Sequence, residues 1–97
     1  MWYNYFMIND IEHEILSITQ EECAEVIQAI SKIFRFGFDS KHPEKTYDNR
    51  EHLEEELGDL QCMINLMIEH GVVRKSKVDE AEIKKYEKLQ QWSNIMN

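Results

Sequence analysis

Two pairs of carboxylates have a spacing that can do chemistry: Glu22 with Glu25, and Glu56 with Asp59, each pair three residues apart in a stretch with helical periodicity. Residues three apart lie on one side of a helix, so each pair presents oxygen donors toward one neighbourhood. One such pair is common on any solvated helix, and its meaning depends on where the apolar residues fall. With Glu22 at 0° and about 100° per residue, Val26, Ile30, Cys23 and Ile33 cluster between about 20° and 100°. Glu22 borders that stripe and Glu25 lies near 300°, whereas Glu21 and Gln28 turn toward solvent. With Glu56 at 0°, Met63, Met67, Leu60 and Leu53 fall between about −20° and 60°. Glu56 therefore lies within an apolar arc and Asp59 at its edge, while Glu51, Glu54, Glu55, Asn65 and Glu69 take the wet side.

If the two apolar faces pack together, four carboxylates converge on a partly desolvated spot. Like charges there must take up protons or share a cation, because isolated buried charge is costly. Oxygen donors without His or Cys favour Mg²⁺, Mn²⁺ or Ca²⁺ over Zn²⁺. A ferritin-like di-iron site is disfavoured, since no His stands three residues after a Glu. His13, His42, His52 and His70 read as surface or loop histidines.

The elements that must hold these residues are helices. Asn9 or Asp10 followed by Glu12 is a helix start, and the apolar positions Leu16, Cys23, Val26, Ile27, Ile30 and Phe34 extend it over 10–36, where Gly37 closes it. Thr19 with Glu22 also has the form of a capping box, which leaves open a break near Ser17. A loop of about a dozen residues follows, with the single proline, Pro43. Leu53, Leu57, Leu60, Ile64 and Met67 mark a second helix from Asn49 that stops at Gly71. Ser76 followed by Asp79 predicts the cap of a third, with Val78, Ala81, Leu89, Trp92 and Met96 on its apolar face. Trp2, Tyr3, Tyr5 and Phe6 suit a short helix or a packing arm.

Composition agrees with this reading. Three Gly and one Pro against 42% hydrophobic and 31% charged residues suit an all-α bundle, here a single domain over 1–97. A chain of 97 residues hides only roughly 60 to 65% of its unfolded surface, so an antiparallel helical bundle completed by oligomerisation, as a homodimer or homotetramer, is expected. The net charge of −8, from 19 acidic and 11 basic residues, opposes binding of polymeric nucleic acid. A small phosphorylated molecule is not opposed, because divalent cations invert the charge of an acidic pocket. Cys23 and Cys62 form no Cys-x-x-Cys pair and read as reduced, buried thiols. The N-terminus lacks the pattern of a secretory signal and no apolar run reaches membrane-spanning length, which points to a cytoplasmic protein without a membrane partner.

Glu21-Glu22-Cys23-Ala24-Glu25 followed by Glu56-Leu57-Gly58-Asp59 resembles the Glu-Glu-x-x-Glu and Glu-x-x-Asp signature of MazG-like nucleoside triphosphate pyrophosphatases. The similarity spans roughly residues 15 to 70, and phrases such as EECAEVIQAISKIFRFG are like those of compact, single-domain phage and bacterial members. It implies Mg²⁺-dependent hydrolysis between the α and β phosphates of a canonical or damaged nucleotide, and the oxygen donor set accepts Mn²⁺ as well. Water is the nucleophile, and the products are a monophosphate and pyrophosphate. Residue by residue, Glu22, Glu25, Glu56 and Asp59 match the metal ligands, and Glu21 matches a position that orients or deprotonates the attacking water. The metal ions neutralise phosphate oxygens and lower the pKa of bound water.

Further positive charge for the phosphates is available from Lys32, Arg35 and Lys85. Lys32 and Arg35 also suit a solvated helix end favoured by the dipole, and Lys85 a stem that covers apolar surface while its ammonium reaches water. Trp2, Phe34 and Phe36 are candidates for stacking on a base, or for the core. The competing reading of the whole chain is a non-enzymatic helical module whose acidic patch binds a protein partner or a structural divalent cation.

Overall fold

The computed structural model describes residues 8–96 and, among them, contains three helices and no strand: α1 (Asp10–Phe36), α2 (Asn49–Glu69) and α3 (Lys75–Trp92). Trp2, Tyr3, Tyr5 and Phe6, with the expected N-terminal arm, lie outside the described residues.

α1 begins at a reciprocal cap. The Asn9 side chain accepts from the Glu12 backbone N–H at 2.8 Å, and the Glu12 carboxylate accepts from the Asn9 N–H at 3.1 Å. Two N–H groups left without helical partners are thereby satisfied. At the other end Gly37 has φ of +88°, a region that side-chain-bearing residues avoid, and its N–H donates to the Ile33 carbonyl at 2.7 Å. The helix does not break near Ser17. The Thr19 hydroxyl donates back to the Ile15 carbonyl at 2.7 Å and stays within the helix, so it caps nothing. α2 repeats the reciprocal cap with Asp48 and Glu51, at 2.8 and 3.1 Å, and the chain turns after it at Gly71, φ +70°.

α3 corrects one expectation. Lys77 and Val78 N–H already donate to the Arg74 carbonyl, so helix precedes Ser76, and Arg74 is the cap residue without a side-chain cap bond. Asp79 is taken instead by Lys75, Nζ to carboxylate 2.8 Å.

α1 and α2 pack antiparallel. The Gly37 carbonyl at the end of α1 accepts from Asn49 Nδ2 at the start of α2, while Glu22, a few turns earlier, faces Glu56 and Asp59, further along α2. The covered stripe of α1 runs through Ile15, Ile18, Glu22, Val26, Ala29 and Ile33, with Ile15 and Ala29 buried. It meets Leu53, Glu56, Leu60, Met63 and Met67 of α2, of which Glu56 and Met63 are buried. The stripe is centred on Glu22 itself, not beside it. Leu16, Cys23, Ile27, Ile30 and Phe34, expected on the packed face, form a second, exposed apolar stripe, and Leu57 of α2 is also exposed. Cys23 and Cys62 are free and exposed, which corrects the expectation of buried thiols.

α3 leaves this pair after the Gly71 turn, and none of its residues is buried. The radius of gyration is 17.3 Å. A compact globule of this length would have about 12.5 Å. One chain thus folds into an open arrangement in which two helices carry the core.

Candidate metal centre and adjoining cleft

The reason four acidic residues of one α2 stretch differ is rotation about the helix. Glu54 and Glu55 are exposed, whereas Glu56 points into the α1–α2 seam and is only 9% exposed. Glu22 comes to the same seam from the centre of the α1 stripe, and Asp59 arrives one turn after Glu56. Glu22, Glu56 and Asp59 each offer a carboxylate oxygen, and these lie within 4.8 Å of one another. Glu25 stands on the rim, exposed, and is not one of this trio. It still acts electrostatically on Glu22. Burial raises the Glu22 carboxyl above its ordinary value, and the charges of Asp59, Glu56, Glu25 and Glu21 push it further in the same direction. Hard oxygen donors crowded in this way fit a divalent cation of the Mg²⁺ or Mn²⁺ type. Glu21 is exposed at the edge of the group.

The sequence reading missed His52. Its Nε2 lies 3.3 Å from Oε1 of Glu56, with the two side chains only 11% and 12% exposed. Tyr47 covers its other side, ring centroids 5.5 Å apart at 41°. His52 is therefore a wall residue between helix and loop, not a surface histidine. The i, i+4 spacing to Glu56 was the available signal, and the Tyr47 contact, which depends on the loop fold, was not.

His52 also lines a cleft of about 370 Å³ between the end of α1 and the α1–α2 loop. Lys32, Arg35, Lys41, Lys45 and Tyr47 are among its other walls. Phe36 lines it too, whereas Phe34 is 86% exposed on the opposite stripe. So Lys32 and Arg35 are brought together in a cleft whose wall residue His52 contacts Glu56. Lys85 is not: on α3 it lines a separate hollow with Glu82, Tyr86 and Leu89.

Among the described residues, two antiparallel helices thus bring Glu22 of a Glu-x-x-Glu segment together with Glu56 and Asp59 of a Glu-x-x-Asp segment. Residues 11–92 match the family model of the MazG nucleotide pyrophosphohydrolase domain, and the chain belongs to that family. No curated protein and no solved structure matches it. No helix among the described residues is long and apolar enough to cross a membrane.

Proposed function

We propose that this chain is a Mg²⁺-dependent nucleoside triphosphate pyrophosphohydrolase, with Mn²⁺ as an alternative ion, that converts (d)NTP to (d)NMP and pyrophosphate in control or cleaning of the cytoplasmic nucleotide pool. The observation that carries the reading is the meeting of Glu22, Glu56 and Asp59 in the α1–α2 seam of a MazG-family chain. Glu25 completes the ligand set from the rim. A divalent cation held there supplies positive charge to the phosphate oxygens and acidifies water. His52 holds Glu56 in place through the 3.3 Å contact. Lys32 and Arg35 draw the phosphate chain along α1, and Lys85 would contribute only from a second subunit.

Water attacks the α-phosphorus, the bond from that phosphorus to the bridging oxygen breaks, and pyrophosphate leaves with the bond's electron pair. Glu21 takes the water proton, and the water oxygen remains on the monophosphate. Incubating the protein with each (d)NTP and Mg²⁺ should release pyrophosphate and monophosphate in equal amounts. Orthophosphate in place of pyrophosphate contradicts the bond assignment, and no release from any nucleotide leaves the non-enzymatic acidic module.

The working unit in this reading is a homodimer or homotetramer. Leu16, Ile27, Ile30 and Phe34 form an apolar stripe along α1 that stays exposed among the described residues, and α3 exposes Ile83, Tyr86 and Trp92. Contiguous apolar surface on this scale favours a second copy. Light scattering should show a multimer across micromolar dilution. Ile27→Asp, at a position 66% exposed in the single chain, should shift the protein toward monomer. A stable, active wild-type monomer would contradict this reading.

A further inference from the structure

Among the described residues, His52 alone brings a polar donor to the carboxylate trio. Its Nε2 lies 3.3 Å from Oε1 of Glu56. Glu22 and Asp59 have no such neighbour: no Lys or Arg forms an ion pair with any of the three, and none of the three side chains accepts a hydrogen bond from a described residue. His52 also stands outside the group of ligand atoms that lie within 4.8 Å of one another, so it touches one member without joining the set. The contact is longer than the usual N–H···O distance of about 3.0 Å.

Tyr47 packs on the same imidazole, with ring centroids 5.5 Å apart, inside the range of favourable aromatic pairs. This contact matters for the loop because of how the loop is held. Its ends are fastened by backbone: Arg50 N–H donates to the Phe38 carbonyl and Asn49 N–H to the Ser40 carbonyl, each at 3.0 Å. Residues 41–47 bond only among themselves, Lys45 N–H to the His42 carbonyl at 2.9 Å and Glu44 N–H to His42 Nδ1 at 3.1 Å. No hydrogen bond or ion pair joins that stretch to a helix among the described residues. The half-buried Tyr47 ring against His52 makes the connection instead.

We propose that His52 and Tyr47 are positioning residues that couple the carboxylate centre to the loop: the imidazole N–H orients the Glu56 carboxylate for a divalent cation, and the Tyr47 ring holds the imidazole. The inference deepens the hydrolase reading and rests on it for the ion at Glu22, Glu56 and Asp59. A carboxylate free to rotate must be ordered as the ion binds, whereas one held by an outer donor is oriented beforehand. The donor is the proton on Nε2, and a charge on the ring is not required. The coupling runs both ways, because a support that favours the loaded centre is itself favoured by loading. Fixing Glu56 fixes His52, gives Tyr47 a steady face and orders residues 41–47.

Titration of the full chain with Mn²⁺ in the absence of nucleotide, followed by the electron paramagnetic resonance of the free ion, reads the support apart from turnover. His52→Phe keeps a ring for Tyr47 and removes the donor, and it should bind Mn²⁺ about tenfold or more weakly than wild type. His52→Gln places an amide N–H near the Nε2 position and should recover most of that loss, which a purely structural role for the histidine would not produce. Tyr47→Leu changes only the loop side; it should also weaken Mn²⁺ binding, and it decides the matter if His52→Phe does not fold. Hydrogen exchange read by mass spectrometry supplies the second readout. Saturating Mg²⁺ should slow exchange over residues 41–47 in wild type and Tyr47→Phe, and should not in His52→Gln or Tyr47→Leu, which lack the ring contact. Wild-type affinity in His52→Phe or Tyr47→Leu, equal weakening in His52→Gln and His52→Phe, or Mg²⁺ protection of 41–47 that survives Tyr47→Leu would each overturn the proposal. Glu22→Gln separates the two levels. If it loses the ion while His52→Phe keeps it, this inference alone fails; if it too keeps the ion, or wild type binds none, the metal-centre reading falls with it. Mn²⁺ binding that follows His52 in a protein that hydrolyses no nucleotide would sink the hydrolase reading and leave the support standing.

Discussion

Glu56→Gln should reduce Mg²⁺-dependent turnover by about a hundredfold or more, while Glu54→Gln, two residues away, should leave it near wild type. The expected loss corresponds to roughly 3 kcal/mol or more of transition-state stabilisation, the scale on which a bound metal acts on phosphoryl charge. The amide keeps the shape of the side chain and removes its ligand charge. Glu56 is 9% exposed in the seam beside Glu22 and Asp59, whereas Glu54 is exposed on the wet face. Glu22→Gln and Asp59→Asn should match Glu56→Gln, and Glu25→Gln, on the rim, should follow them if the fourth ligand is drawn in with the ion. Steady-state rates on a reactive nucleotide, with circular dichroism to confirm the fold, read the result. Equal losses at Glu54 and Glu56 would remove the geometric basis of the assignment.

Mg²⁺ should raise the melting temperature of the wild type by roughly 5 to 10 °C when present at about ten times its dissociation constant. Glu22→Gln and Glu56→Gln should gain much less. The reason is repulsion: burial and the neighbouring carboxylates raise the Glu22 carboxyl above its ordinary value, so its ionised form is disfavoured in the folded chain without an ion. The pH dependence follows with a definite sign. Because the folded chain binds the Glu22 proton more tightly than the unfolded chain, stability in EDTA falls as pH rises from the ordinary carboxylate range through the raised value. Relative to Glu22→Gln, which does not titrate there, metal-free wild type should lose stability through that window and remain lower above it. Thermal melts in EDTA and in Mg²⁺ across a pH series check both parts. A Mg²⁺ shift as large in Glu22→Gln as in wild type would place the ion elsewhere.

What the sequence showed clearly was local. Asn9 with Glu12 closes α1 at its start and Gly37 at its end, and both are short-range signals that tertiary packing did not override. The meeting of Glu22 with Glu56 and Asp59 followed from helical rotation, because an amphipathic pair has few ways to pack.

The phase of α1 was less legible for a physical reason. Its apolar residues form two adjoining stripes, and their average falls between them, so Glu22 looked like a border residue when it lies at the centre of one. The exposed stripe of Leu16, Ile27, Ile30 and Phe34 was counted into the core for the same reason. Ser76 failed as a cap because helical hydrogen bonds to Arg74 begin before it. Lys41, Lys45 and His52 could not be assigned to one cleft from spacing, since the loop folds back only through Asn49, Arg50 and Tyr47.

In the proposed function, catalysis resides where α1 and α2 bring Glu22, Glu56 and Asp59 together. Anomalous diffraction from crystals grown with Mn²⁺ at a concentration that supports turnover tests it most directly. An anomalous peak bonded to carboxylate oxygens of Glu22, Glu56 and Asp59 is expected. A peak held by other residues, or no peak in crystals of protein that is active with the same ion, would contradict it.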